Sequence, residues 1–276
     1  MYKRTDMADE CITPDYEKSG GVRRIKRGKV FDITEININD DSLFESMGKR
    51  KGRYITLEYK NLGDFSDEET EMIYELAEEF ENIIPDGDIL VCGLGNRDIT
   101  PDAIGPLTAA KILATRHLRD ELGRQDSFLK SLRRVSVFAG GVLGQTGIET
   151  AEIISALCRQ IKPSAVVAAD ALACSDINRL GRSIQITDTG ISPGSGVENS
   201  RKEISSHSLG IPVIAVGVPT VADLRNITES TDKNCDMVVT PRNIDRLAER
   251  SAQLIAFALN RAFHPMLNME EIRSLF

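Results

Sequence analysis

The chain has 276 residues, of which 41% are hydrophobic and 28% charged, which suits one large domain with a buried core. Its formal net charge of −8 argues against a broad nucleic-acid surface, and no apolar run approaches the ~20 residues of a membrane span. Five scattered cysteines without a CxxC pair, and a polar N-terminus unlike a signal peptide, favour a reducing cytoplasm.

Residues 1–60 predict a small β elaboration. Apolar residues alternate with polar ones over 29–39 and again over 53–59, which favours two strands. The basic run over 23–29 precedes them, and we interpret it as a solvated edge.

Strands and helices alternate after residue 61. Ser66 and Glu69 have the spacing of a capping box, which predicts a helix behind them. Further helices are predicted over 106–121, 148–161 and 241–263, and strands over 89–92, 134–139, 165–170, 182–187 and 212–217. Successive βα units indicate an α/β fold with a mostly parallel sheet and helices on both faces.

Two aspartates fall at the carboxyl ends of predicted strands. Asp102 follows the strand over 89–92 and a glycine turn, at the start of the next helix, and Asp170 ends the strand over 165–170. Ligands bind at this edge of open α/β sheets. Burial beside a second negative charge raises the pKa of a carboxyl group, so such a pair can supply one acid and one base for hydrolysis by water.

Each aspartate also has a structural interpretation. Asp102 could oppose the dipole of the helix that it precedes, and Asp170 could hydrogen-bond a loop. Two converging carboxylates could instead hold a metal ion.

Two glycine-rich loops are candidates for holding the substrate backbone. The loop over 140–147 offers backbone N–H groups to an anion or a tetrahedral intermediate, with Gly144, Gln145, Thr146 and Gly147 as its candidate residues. The long loop over 188–206 is a candidate lid or substrate contact, with Gly194, Ser195 and Gly196 as its candidate residues. The alternatives are a tight turn between strand and helix for the first loop and a plain surface loop for the second. Neither loop has a Walker or a dinucleotide pattern, which argues against nucleotide binding.

Several stretches together resemble the germination protease family of spore-forming Firmicutes. They are RTDMADE, GRYITLE, GLGNRDITPDAIGP, GGVLGQTGIETAEI, VVAADALA and PGSGVENSRKEIS, in this order along nearly the whole chain. The resemblance implies an atypical aspartic endopeptidase that cleaves small acid-soluble spore proteins during germination. It also implies a core similar to hydrogenase maturation endopeptidases, a three-layer α/β/α sandwich. The family's two proposed catalytic aspartates fall on Asp102 and Asp170.

The same resemblance sets further expectations. We expect one peptidase domain over 1–276, composed of the β elaboration in 1–60 and an α/β core in 61–276, and we expect a homotetramer. No cofactor, metal, direct nucleic-acid partner or membrane is implied, and the expected location is the cytoplasm of the forespore and the spore core.

Many family members are zymogens that lose a short N-terminal segment ahead of the RTD motif. Only Met1-Tyr2-Lys3 precede Arg4-Thr5-Asp6 here, so we expect the propeptide to be nearly absent or processed differently. Two alternative functions stay open, a metal-dependent maturation-type protease and a non-catalytic, carboxylate-lined module that binds a peptide or a metal.

Overall fold

A computed structural model describes residues 5–12, 16, 21–64, 66–123, 126–194, 201–224 and 237–276. Within these residues the strands form one mixed sheet of nine strands. They are β1 (Val22–Arg27), β2 (Asp32–Ile38), β3 (Gly52–Glu58), β4 (Ile89–Gly93), β5 (Val135–Phe138), β6 (Ala165–Cys174), β7 (Ser183–Thr187), β8 (Val213–Asp223) and β9 (Val238–Val239).

The sheet is parallel in one half and antiparallel in the other. Its order is β1-β2-β3-β7-β8-β6-β4-β5, with β9 beside β8, and only the pairs within β5-β4-β6-β8 are parallel. The prediction of a mostly parallel sheet is therefore correct only for this half. β7 pairs antiparallel with β8, because the eight residues 175–182 that connect it to β6 are too few for the crossover that a parallel strand needs.

The N-terminal elaboration is part of the same sheet. β1, β2 and β3 form an antiparallel meander, and β3 pairs with β7. The basic run predicted as a solvated edge is the outermost strand, β1. Arg27 at its end is anchored by Glu35 and Glu79.

Helices cover both faces of the sheet. In the described ranges they are α1 (Phe44–Met47), α2 (Glu69–Ile83), α3 (Ile104–Ala109), α4 (Arg116–Glu121), α5 (Ser127–Ser131), α6 (Leu143–Thr146), α7 (Thr150–Ile161), α8 (Ser206–Leu209), α9 (Ile244–Phe263) and α10 (Met269–Ser274). Val91 and Val167 share a core with α2, α3 and α9, whereas Leu90 and Val166 pack towards α7. This arrangement confirms the three-layer α/β/α sandwich. None of these helices is both long and apolar enough to cross a membrane.

The helix predicted over 106–121 is interrupted. α3 ends at Ala109 and α4 begins at Arg116, and buried Asn260 of α9 fills the break. Its side chain accepts from the backbone N–H of Leu113 (2.9 Å) and donates to the carbonyl of Lys111 (2.8 Å). A distant amide thus satisfies backbone groups that a continuous helix would have paired internally.

The predicted capping box does not form. α2 begins only at Glu69, and the Ser66 hydroxyl accepts from the N–H of Glu68 (3.1 Å). The side chain of Glu69 bonds Arg250 of α9 (2.7 Å) instead of reaching back to Ser66. The Glu69 side chain is therefore used in an ion pair between α2 and α9 rather than in a capping box at the start of α2.

Two central strands are longer than predicted. β6 continues to Cys174 and β8 to Asp223, so Asp170 lies inside β6 rather than at its end. The last pair between β4 and β6 is Gly93 with Ala169. Asp170 is consequently the first residue of β6 beyond the end of β4.

Candidate active site

Close backbone packing holds Asp102 over the carboxyl end of β4. Asp102 ends a 3-10 helix, Thr100–Asp102, directly before α3. A Cβ atom at Gly105 would lie 2.2 Å from the carbonyl oxygen of Leu94 and 2.3 Å from that of Ala169, so only glycine lets α3 begin this close to the sheet. The hydroxyl of Thr220 in β8 donates to the backbone of the same 3-10 helix at 2.6 Å.

The turn after β4 supplies a hydrogen bond to the Asp102 carboxyl group. Gly95 has a φ of 101°, and the following residue, Asn96, donates its backbone N–H to Oδ2 of Asp102 at 2.8 Å. The carboxyl group is half-buried. Burial raises its pKa, and the Asn96 N–H acts in the opposite direction.

Asp170 is the more strongly perturbed acid. Its side chain is 4% exposed, and Oδ1 accepts from the backbone N–H of Ala171 at 2.9 Å. Burial raises its pKa well above the ordinary value, and the negative charges of Asp102 and then Asp6 raise it further. The site therefore favours a protonated Asp170 beside an acid that ionises more readily.

Both aspartates line one cavity of about 520 Å³ at the carboxyl edge of the parallel strands. Its wall includes Asp6, Leu94, Asn96, Ile99, Asp102, Gly144, Glu149, Asp170, Ala171, Gly194, Arg201, Lys202, Thr220 and Val238. The two acids selected from the sequence, Asp102 and Asp170, thus lie in the same cavity.

The predicted loop residues divide into two groups. Gly144 and Gly194 line the cavity. Gln145, Thr146 and Gly147 are absent from its described lining, and Gln145 instead donates to the Asn96 side chain at 2.8 Å, which ties the loop to the turn that holds Asp102. The Thr146 hydroxyl bonds within its own turn.

Gly147 has a left-handed backbone and ends α6. Ser195 and Gly196 lie outside the described residues.

Asp6, like Glu149, is a further carboxyl group in the cavity that spacing did not select. Its N–H donates to the carbonyl of Ala173 (2.9 Å), and its Oδ2 accepts from the N–H of Ala173 (2.8 Å). Asp6 thereby continues the sheet for one residue beyond β4. The only signal for it in the sequence was the family-like stretch RTDMADE.

Other candidate chemistry is weaker. Burial raises the pKa of Cys92, and raises that of Cys174 to about 12, so neither thiol is an activated nucleophile at neutral pH. Among the residues that the structure describes, no three His, Cys, Asp or Glu side chains are grouped to hold a metal ion.

Known proteins resemble this chain over almost its full length. The model of the germination protease family matches residues 13–234. The chain is 35% identical to the germination protease of Clostridium tetani, covering 99% of each chain, and 36% identical to that of Caldanaerobacter subterraneus, covering 99% and 97%. The Bacillus subtilis germination protease is 41% identical over 82% of this chain and 62% of its own.

Among solved structures, a NiFe hydrogenase maturation protease, HycI, from Thermococcus kodakarensis is similar to this chain. It has a TM-score of 0.36 and 20% identity, covering 66% of this chain and 98% of its own. From the match to the family model and the full-length relatives, the chain belongs to the germination protease family of peptidases.

Proposed function

We propose that the chain is an aspartic-type endopeptidase that cleaves small acid-soluble spore proteins, with Asp102 and Asp170 as the pair that activates water. One observation carries the mechanism. The two carboxyl groups share a cavity, and burial together with the charge of Asp102 raises the pKa of Asp170 well above its ordinary value. Membership of the family supports the substrate and its use in germination.

In the resting site Asp170 is protonated and Asp102 is ionised. Asp102 takes a proton from water, and the resulting hydroxide oxygen adds to the scissile carbonyl carbon. Asp170 then gives its proton to the amide nitrogen as the C–N bond breaks, which releases a carboxylic acid and an amine. Transfer of the proton from Asp102 to Asp170 restores the pair.

The cavity wall provides contacts for a polypeptide. Ile99 and Val238 are exposed apolar residues that line it, and Gly144 and Gly194 leave its wall open to a passing backbone. Ser195 and Gly196 stay candidate substrate contacts on the strength of their sequence pattern alone.

Family membership also supports a homotetramer in the forespore and spore core. Sedimentation of the purified chain tests the tetramer, and a fluorescent fusion followed through sporulation tests the location.

The test of the mechanism is to replace each acid by its isosteric amide. Asp102→Asn and Asp170→Asn should each lower cleavage of a purified small acid-soluble spore protein by at least about 100-fold, because each removes one proton-transfer group. Product formation followed by mass spectrometry measures the loss.

Asp98→Asn is the matched control. Asp98 is an exposed acid in the loop between β4 and Asp102, and it is outside the described cavity lining. It should retain wild-type cleavage. The melting temperature of Asp170→Asn should not fall, because a neutral amide replaces an acid whose ionised form burial disfavours. Wild-type activity in Asp102→Asn or in Asp170→Asn would rule out the catalytic pair.

A further inference from the structure

β6 turns the backbone groups of alternate residues to opposite sides. The N–H of Val166 donates to the chain just before β8 (3.0 Å), whereas the carbonyl of Ala169 accepts from Leu94 beyond β4 (2.8 Å). Since this alternation continues along a strand, Ala171 and Ala173 present their backbone groups on the β4 side. β4 itself has ended by this point.

The β4 side of β6 is occupied at both ends of this stretch and open in the middle. Leu94 bonds Ala169, and Asp6 bonds Ala173 through both its backbone and its carboxyl group. Ala171 lies between them, is half-buried and lines the cavity. No described residue donates a hydrogen bond to its carbonyl group.

The Ala171 N–H is already used, by the carboxyl group of Asp170 at 2.9 Å. That carboxyl group stands where a neighbouring strand would place a carbonyl oxygen. A polypeptide that entered the gap would therefore meet the Ala171 carbonyl, which the described residues leave without a donor, with Asp170 directly beside it. Backbone pairing of this kind fixes an extended chain without reading its sequence.

We propose that the substrate binds as an extended polypeptide segment alongside β6 and donates one main-chain N–H to the carbonyl of Ala171. This inference rests on the proposed function, since it places the scissile bond next to Asp170. Only one N–H of the segment pairs with β6, because Leu94 and Asp6 occupy the pairing positions on either side of Ala171.

Because mutation cannot remove the Ala171 carbonyl, the test alters the substrate. The cleavage site in a small acid-soluble spore protein is mapped with the wild-type enzyme, and peptides spanning it are made with one backbone amide at a time replaced by an ester. The scissile amide itself is left unchanged. An ester removes the N–H donor and adds no bulk.

One ester should lower kcat/KM about 3- to 10-fold, the loss of a single neutral hydrogen bond, chiefly through KM. Esters at the amides immediately before and after it should be tolerated, because those N–H groups point away in an extended chain. N-methylation at the sensitive amide should lower kcat/KM as well.

The proposal is overturned if every ester is tolerated, or if esters at consecutive amides are equally harmful. The unmodified peptide separates this failure from failure of the proposed function. If wild-type enzyme cleaves it and Asp170→Asn does not, the catalytic pair stands whatever the ester scan gives.

Discussion

Asp6, Asp102 and Asp170 come from distant parts of the chain and line one cavity. Asp6 bonds Ala173, and its negative charge contributes to the raised pKa of Asp170. In the proposed mechanism Asp6 acts through Asp170, as a positioning residue that helps to keep the acid protonated.

Asp6→Asn should move the alkaline limb of the pH profile of kcat/KM to lower pH. Removing the negative charge lowers the pKa of Asp170, so Asp170 loses its proton earlier as the pH rises, while the amide oxygen still accepts from Ala173. Cleavage assays across pH measure the shift. Asp98→Asn, with the same charge change outside the described lining, serves as the control, and an unmoved alkaline limb in Asp6→Asn would contradict this role.

His264 is a buried titratable residue outside the described lining of the cavity. It follows α9, is fully buried, and neither ring nitrogen has a hydrogen-bond partner in the described structure. Burial, and then the charge of Arg133, lower its pKa to about 4. Between pH 4 and its ordinary pKa of 6.5 the unfolded chain binds more protons there, so stability falls as the pH falls through this window.

His264→Leu should reduce this acid sensitivity. Wild type should lose up to about 3 kcal/mol more unfolding free energy than the variant between pH 7 and pH 4. Urea unfolding at several pH values measures the difference. His117→Leu, which removes an exposed histidine of α4, should behave as wild type, and equal pH slopes in His264→Leu and wild type would refute the assignment.

The sequence supports prediction of the site only where local pattern determines position. Asp102 and Asp170 each come after a run of apolar residues, so both could be placed at one edge of the sheet. Asp6 could not, because its place depends on pairing with Ala173, and nothing periodic connects the two residues.

At the scale of elements, the same distinction holds. Buried strands and amphipathic helices were predictable from their apolar patterns. The break between α3 and α4 was not, because Asn260 of α9 provides the compensating hydrogen bonds. The extension of β6 was also missed, because the polar Asp170 looks like a strand end although it lies inside the strand.

Gly105→Ala should weaken both the fold and the activity. The added methyl group would meet the carbonyl oxygens of Leu94 and Ala169, which the sheet holds in place, so α3 and the preceding Asp102 would have to shift. We expect a loss of about 1–3 kcal/mol in unfolding free energy and a marked fall in cleavage. Denaturant unfolding and peptide cleavage measure the two effects.

Gly144→Ala is the control for stability, because a Cβ atom there meets nothing within 4 Å and alanine favours the helical backbone of α6. Unchanged unfolding of Gly105→Ala would show that the contact between α3 and the sheet is looser than described.

For the whole molecule, pairing between β3 and β7 joins the N-terminal meander to the parallel half. Phe31, Ile33, Ile55 and Leu57 of the N-terminal region belong to the same core cluster as Val91 and Val167. The expectation of a single domain over 1–276 therefore predicts that both halves unfold together.

Native-state hydrogen exchange tests this prediction. The slowest amides of β2 and β3 should open with the same free energy as those of β4 and β6. A separate, earlier opening of residues 21–58 would show that the meander is an independent unit. Resistance of the intact chain to limited proteolysis between β3 and β4 provides a second measurement.

Between Leu94 and Asp6, the part of the chain that the structure describes leaves the carbonyl of Ala171 open on β6. A protein folded into helices or sheets has most of its main-chain donors paired and offers few to this position. In the proposed binding mode an unfolded chain is therefore a better substrate than a folded one. The binding mode proposed above would thus make the folded state of a protein, rather than its sequence, the main determinant of whether it is cleaved.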